Sequence, residues 1–211
     1  MTSMLWNLAQ NMKYGKPVVI VSGLPRSGTS MAMKMLEAGG MELVVDNIRT
    51  ADEDNPKGYY EDERVKDLAE TEDKPWLREA RGKVIKVVSS LLNHLPDDNR
   101  YKVVFMRRNL YEVLASQTKM LVRRDESSHT EDEELLEMYK AHLGKVEFQI
   151  RFRPNFEATY FDFAAVVQNP AAEAERMAGF VGGGLDVKRM AGAVDGSLYR
   201  NRRTMDGTVA E

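Results

Sequence analysis

Residues 17–40, "PVVIVSGLPRSGTSMAMKMLEAGG", constrain the fold more than any other stretch. An apolar run rich in β-branched residues predicts a buried strand over 17–22. A glycine-bearing loop follows. Gly28 to Glu37 then carries a helical pattern, stopped by Gly39 and Gly40. Strand, glycine loop and helix in this order leave unpaired N–H groups of the helix start facing the strand's carboxyl end, which favours an anion there. The rest of the chain repeats the alternation. Apolar runs at 41–45, 83–88, 101–106 and 157–163 predict further strands, and 61–71, 110–123, 135–152 and 170–180 predict helices, the last opened by Pro170. Residues 46–58 and 123–134 are polar connections. This pattern predicts an α/β fold: three layers, α/β/α, around a central and mostly parallel sheet, P-loop NTPase-like. The expectation is a single domain over 1–211 with a short basic tail, "LYRNRR".

Composition narrows the chemistry. Hydrophobic residues make up 43% and charged residues 30%, as in a globular protein. A net charge of -3 argues against nucleic acid or a membrane surface as the main partner. The absence of cysteine excludes disulfides and thiolate metal sites. Three scattered histidines, His94, His129 and His142, make a histidine-rich metal centre unexpected. No apolar run approaches the roughly 20 residues of a membrane span, and the first residues lack the order of a secretory leader. A cytoplasmic location is therefore expected. Thirteen methionines, among them Met31, Met33 and Met35, are expected to fill core gaps.

The loop departs from the usual nucleoside-triphosphate pattern, G-x-x-x-x-G-K-[ST]. Gly23 and Gly28 keep the spacing, but Thr29 stands in the lysine position and Ser30 follows. Without that lysine a triphosphate is poorly neutralised. Arg26 lies inside the loop, and its planar guanidinium suits a single tetrahedral oxyanion. The binding segment expected here is Arg26, Ser27, Gly28, Thr29 and Ser30. A second anion site is expected after the strand at 101–106, where Arg107, Arg108 and Asn109 precede a helix. Ser116 stands eight residues after Arg108, two turns along that helix. Two separated anion sites fit a ligand with two separated anions and do not fit ATP.

"PRSGTS" resembles the 5′-phosphosulfate loop of the sulfotransferases that use 3′-phosphoadenosine 5′-phosphosulfate, in the arginine form of the tyrosylprotein branch. Arg108 and Ser116 match the arginine and serine that hold the cofactor's 3′-phosphate in that family. "TYFDFAAVVQNPAAEAERMAGFVG" (159–182) is similar to the family's strand, Asn-Pro and helix. The likeness runs from about residue 17 to about residue 182. It implies sulfonyl transfer to a hydroxyl or amine of a small-molecule acceptor, with no metal. It also implies that the basic tail, Arg200 with Arg202 and Arg203, closes over the nucleotide.

Lys86 interrupts an apolar strand, a costly place for an ammonium unless it meets a cleft or partner. It is expected to assist at the bridging oxygen, with Arg26 neutralising the leaving phosphate. Cytosolic sulfotransferases carry a base histidine just after such a lysine. Here Val87 and Val88 stand there instead. Other branches use a glutamate after the first strand–helix unit, and "NPKGYYE" resembles a run of bacterial sulfotransferase-like proteins. Glu61 is therefore the expected base, with Glu63, Asp62, Asp46 and His94 as alternatives. Tyr59 and Tyr60 would give the acceptor mouth its apolar walls. Two other functions fit the loop: a P-loop kinase of a small molecule, with Asp162 the available magnesium ligand, and a non-catalytic nucleotide-binding protein.

Overall fold

The sheet is built outward from β1 (Val18–Gly23), every residue of which is buried. The structure is a computed structural model that describes residues 10–46, 48, 60–123, 132–198, 202–203 and 209–210. On one side β1 pairs with β2 (Val84–Lys86), from Val19↔Val84 to Val21↔Lys86. On the other it pairs with β3 (Tyr101–Arg107), from Val18↔Tyr101 to Gly23↔Met106. Beyond β3 lies β4 (Phe156–Asp162). All three pairings are parallel and the order is β2-β1-β3-β4. Every carboxyl end of the sheet thus opens on one edge, the edge where ligands of open α/β sheets bind.

A parallel sheet must be covered on both faces, and alternate residues of each strand serve the two covers. Val18, Ile20, Ile85, Val103 and Phe105 pack with Leu77 of α2 (Trp76–Glu79) and with Val146 and Ile150 of α4 (Asp132–Phe152). The 3-10 segments Glu63–Ala69 and Ser89–His94 join the same layer through Leu68 and Leu92. Val19, Val21, Val84, Val104 and Met106 face the other way. There they meet Met33, Met35 and Leu36 of α1 (Thr29–Ala38), Met177 of α6 (Pro170–Val181) and Met190 of α7 (Val187–Gly192). Three layers result, as the alternation of strands and helices predicts. Met33 and Met35 are wholly buried and fill this second core.

Local chemistry explains the ends of α1. It starts after Gly28 and stops at Gly39–Gly40, where Gly40 takes φ 99°. The Gly40 and Met41 amides donate back to Glu37 and Leu36 (2.8 and 2.9 Å), the double bond pattern of a glycine-terminated helix. α3 (Leu110–Arg123) follows β3, and α5 (Phe163–Gln168) follows β4, capped by Asp162.

Four sequence expectations change. The helix expected over 61–71 is a 3-10 segment, Glu63–Ala69, because Asp62 bonds the Arg64 amide and i→i+3 bonds follow it. The strand at 41–45 reduces to one parallel bridge, Leu43↔Val84. The strand at 83–88 ends at Lys86, after which Val88 leads into the second 3-10 segment. The long helix begins at Asp132 rather than 135. A short antiparallel pair, β5 (Arg202–Arg203) and β6 (Val209–Ala210), lies against α3. No helix among the described residues is long and apolar enough to cross a membrane.

Candidate functional site

The loop between β1 and α1 is held by its own backbone. Gly23 takes φ 151°, Arg26 φ 69° and Gly28 φ 98°. The Ser27 hydroxyl donates to the Leu24 carbonyl at 2.7 Å, and the Ser27 amide reaches the same oxygen at 3.2 Å. Ser27 is 1% exposed. Its side chain staples the loop through the Leu24 carbonyl. Thr29, in the lysine position, is buried at the first residue of α1. α1 has no side-chain cap, so its first-turn amides have no side-chain acceptor from the cap residue.

Three cations from three elements converge on this loop. Arg26 Nε donates to Ser116 Oγ of α3 at 2.9 Å across 90 residues of chain. Arg108, just after β3, donates through Nη1 to the Arg26 carbonyl at 3.2 Å. Lys86 Nζ, at the end of β2, lies 3.4 Å from Ser30 Oγ and 3.1 Å from Glu61 Oε1. The two anion sites expected as separate are thus one connected cluster. The hydroxyl of Ser116 accepts from the loop's own arginine, Arg26.

Sequence reading missed the environment of Arg108. Its Nε donates to Glu112 at 3.0 Å, and the two side chains are 8% and 4% exposed. Its guanidinium also lies over the Phe163 ring at 4.6 Å. Glu112 offsets part of the Arg108 charge. The i, i+4 spacing of Arg108 and Glu112 is the signal that could have shown it.

The carboxylates near Lys86 sort by what already holds them. Glu61 pairs with Lys86, the two side chains being 26% and 14% exposed. Asp62 accepts both Nε and Nη2 of Arg64 (2.8 and 2.7 Å), and Arg64 stacks on Trp76. Glu63 binds Lys66 at the surface. Asp46 accepts two backbone amides, from Ile48 at 2.9 Å and Glu63 at 2.6 Å. The Ile48 amide first, then that of Glu63, holds the Asp46 carboxyl below the usual carboxylate range. The His94 side chain makes no hydrogen bond or ion pair among the described residues. Asp162 is committed as the cap of α5, accepting the Ala165 amide at 3.1 Å. Arg200 and Tyr59 lie outside the described residues.

A second polar contact was not legible in sequence. Ser89 Oγ and His142 Nε2 meet at 2.8 Å, joining α4 to the segment after β2 across 53 residues. Burial, then the Lys145 ammonium, pushes the His142 imidazole below its ordinary value. The unfolded chain takes up the proton first as pH falls, so the contribution of His142 to stability is present above about pH 6.5 and is lost below it. Urea unfolding at pH 5, 6 and 7 is expected to show stability falling with acidity. His142→Gln flattens that part of the slope, and an unchanged slope would show that His142 is not its source.

No protein-family model matches the chain, and no curated protein does. Solved structures that match include a sugar kinase from Janibacter sp. HTCC2649, determined without ligand. It shares 16% identity, with 79% of this chain and 94% of that one covered, at a TM-score of 0.44.

Proposed function

We propose that this chain is a sulfotransferase that moves the sulfonyl group of 3′-phosphoadenosine 5′-phosphosulfate to a hydroxyl or amine of a small acceptor. One observation carries the reading: Arg26, Lys86 and Arg108 converge at the carboxyl ends of three adjacent parallel strands, with a carboxylate, Glu61, set against the lysine. The acceptor O–H or N–H gives its proton to Glu61 as its heteroatom forms a bond to sulfur. The bond from sulfur to the bridging oxygen breaks, and the electron pair leaves with the 5′-phosphate. The loop amides, Arg26 and Lys86 neutralise that phosphate. Arg108 supports the 3′-phosphate, with Ser116 holding Arg26 in place.

A second reading rests on Lys86 itself. Its ammonium reaches the hydroxyl of Ser30 and so supplies, from β2, the cation that Thr29 does not. With it the loop would suit the outer phosphates of ATP, and the chain would be a small-molecule kinase.

Thermal shift separates the two. Adenosine 3′,5′-bisphosphate at a hundredfold excess over its Kd is expected to add about 2.7 kcal/mol of stability, with AMP far weaker at equal concentration. Stabilisation by ATP with magnesium and not by the bisphosphate would establish the kinase reading instead. Bisphosphate binding with no turnover over a panel of polyols, phenols and amines would leave a non-catalytic nucleotide-binding protein.

A further inference from the structure

We propose that Asp46 is a positioning residue: it grips the backbone that follows the Glu61 side chain at two points and so holds that carboxylate against Lys86. The inference rests on the role given to Glu61 above, but the clamp itself is built from contacts that do not depend on it.

The Asp46 amide donates to the Glu61 carbonyl at 3.2 Å, and the Asp46 carboxylate accepts the Glu63 amide at 2.6 Å. One residue therefore binds the chain at the Glu61 carbonyl and again at the amide two residues on. The other carboxylate oxygen takes the Ile48 amide at 2.9 Å, which fixes the carboxylate's own orientation. Both oxygens are engaged, so Asp46 is poorly placed to accept a proton from an acceptor.

The sheet tells the clamp where Lys86 is. Val44 donates to the Val84 carbonyl at 2.8 Å, and Leu43 bridges Val84 in parallel. Asp46 lies two residues beyond Val44, and Lys86 two residues beyond Val84. The bridge aligns Leu43 with Val84, so Asp46 and Lys86 follow one anchored point of backbone pairing, three and two residues on. The clamp carries that register to Glu61.

The segment needs the restraint. Tyr60, immediately before Glu61, takes φ 53°, which costs a non-glycine residue about 1–3 kcal/mol. Burial, then the Glu37 carboxylate of α1, pushes its hydroxyl above the ordinary value, so Glu37 stands close to it. Such a conformation persists only where its surroundings over-determine it, and here those are Glu37 on one side and Asp46 on the other.

The test compares Asp46→Ala, which removes both acceptors, with Asp46→Asn, which keeps a carbonyl for one amide. Hydrogen exchange at the Glu63 amide is expected to rise by about tenfold in Asp46→Ala and less in Asp46→Asn. In a double-mutant cycle read by urea unfolding, Asp46→Ala and Lys86→Met are expected to be non-additive, because clamp and ion pair restrain the same segment. Unchanged exchange, or additive losses, overturns the proposal. Both readouts stand whether or not the chain transfers sulfonyl groups; failure of that function shows separately, as absent turnover in the unsubstituted chain. In the active enzyme, Asp46→Ala lowers kcat by about ten- to hundredfold with KM for the nucleotide unchanged. Asp46→Asn recovers part of it, and in a Glu61→Gln background Asp46→Ala lowers kcat no further. A full additional loss in that background means that Asp46 acts other than through Glu61.

Discussion

Gly23→Ala lowers the stability of this protein by about 3–5 kcal/mol, as a sum of backbone strain and overpacking. Gly23 takes φ 151°, a region that side chains rarely adopt. A Cβ there would lie 2.5 Å from the Met106 carbonyl oxygen and 2.5 Å from Ser27 Oγ. The carbonyl belongs to β3, the strand paired with β1, and cannot retreat without disturbing the sheet. The serine is the staple of the loop. Against a total stability of about 5–15 kcal/mol, the loss is a large fraction of what holds the domain folded. Gly40→Ala is the control: its φ is 99°, but a Cβ there would meet nothing within 4 Å. That variant bears the backbone cost alone, about 1–2 kcal/mol. Urea midpoints of the two variants decide the matter. Equal losses would show that the close approach of the loop to β3 carries no weight.

Glu61→Gln lowers turnover by about 10²–10⁴ and leaves the affinity for adenosine 3′,5′-bisphosphate within a few fold. The amide keeps the shape and an oxygen for Lys86 but does not take a proton at neutral pH. Lys86→Met is expected to act differently. It removes the ammonium from both Ser30 and Glu61, so it weakens nucleotide binding as well as turnover. Single-turnover rates with labelled cofactor, alongside calorimetric titration of the bisphosphate, separate the two effects. Full turnover in Glu61→Gln removes that residue as the base and returns the choice to Asp62, Glu63, Asp46 and His94, of which Asp62 is engaged with Arg64 and Glu63 with Lys66.

Much of the fold was legible because its signals are local. The run at 17–22 is apolar but for Ser22 and becomes a strand buried on both faces. Gly40 ends α1 with a positive φ that its missing Cβ permits, and Pro170 opens α6. The failures are equally local in cause. The pattern at 61–71 is amphipathic enough for a helix, yet Asp62 bonds the amide two residues on and the chain tightens into a 3-10 segment. The bond from the Ser27 hydroxyl back to Leu24 shows only in the folded loop.

By itself, then, the sequence determined the strand–loop–helix unit, the layered α/β class and the residue types available at the strand tips. Periodicity, glycine and capping act over a few residues and need no distant partner. The tertiary structure decided which of those residues meet: Arg26 with Ser116, Lys86 with Glu61, and Ser89 with His142, separated by 90, 25 and 53 positions. Those meetings follow from strand order and register, which are set by how two hydrophobic layers pack on one sheet, and no short stretch of chain contains that information.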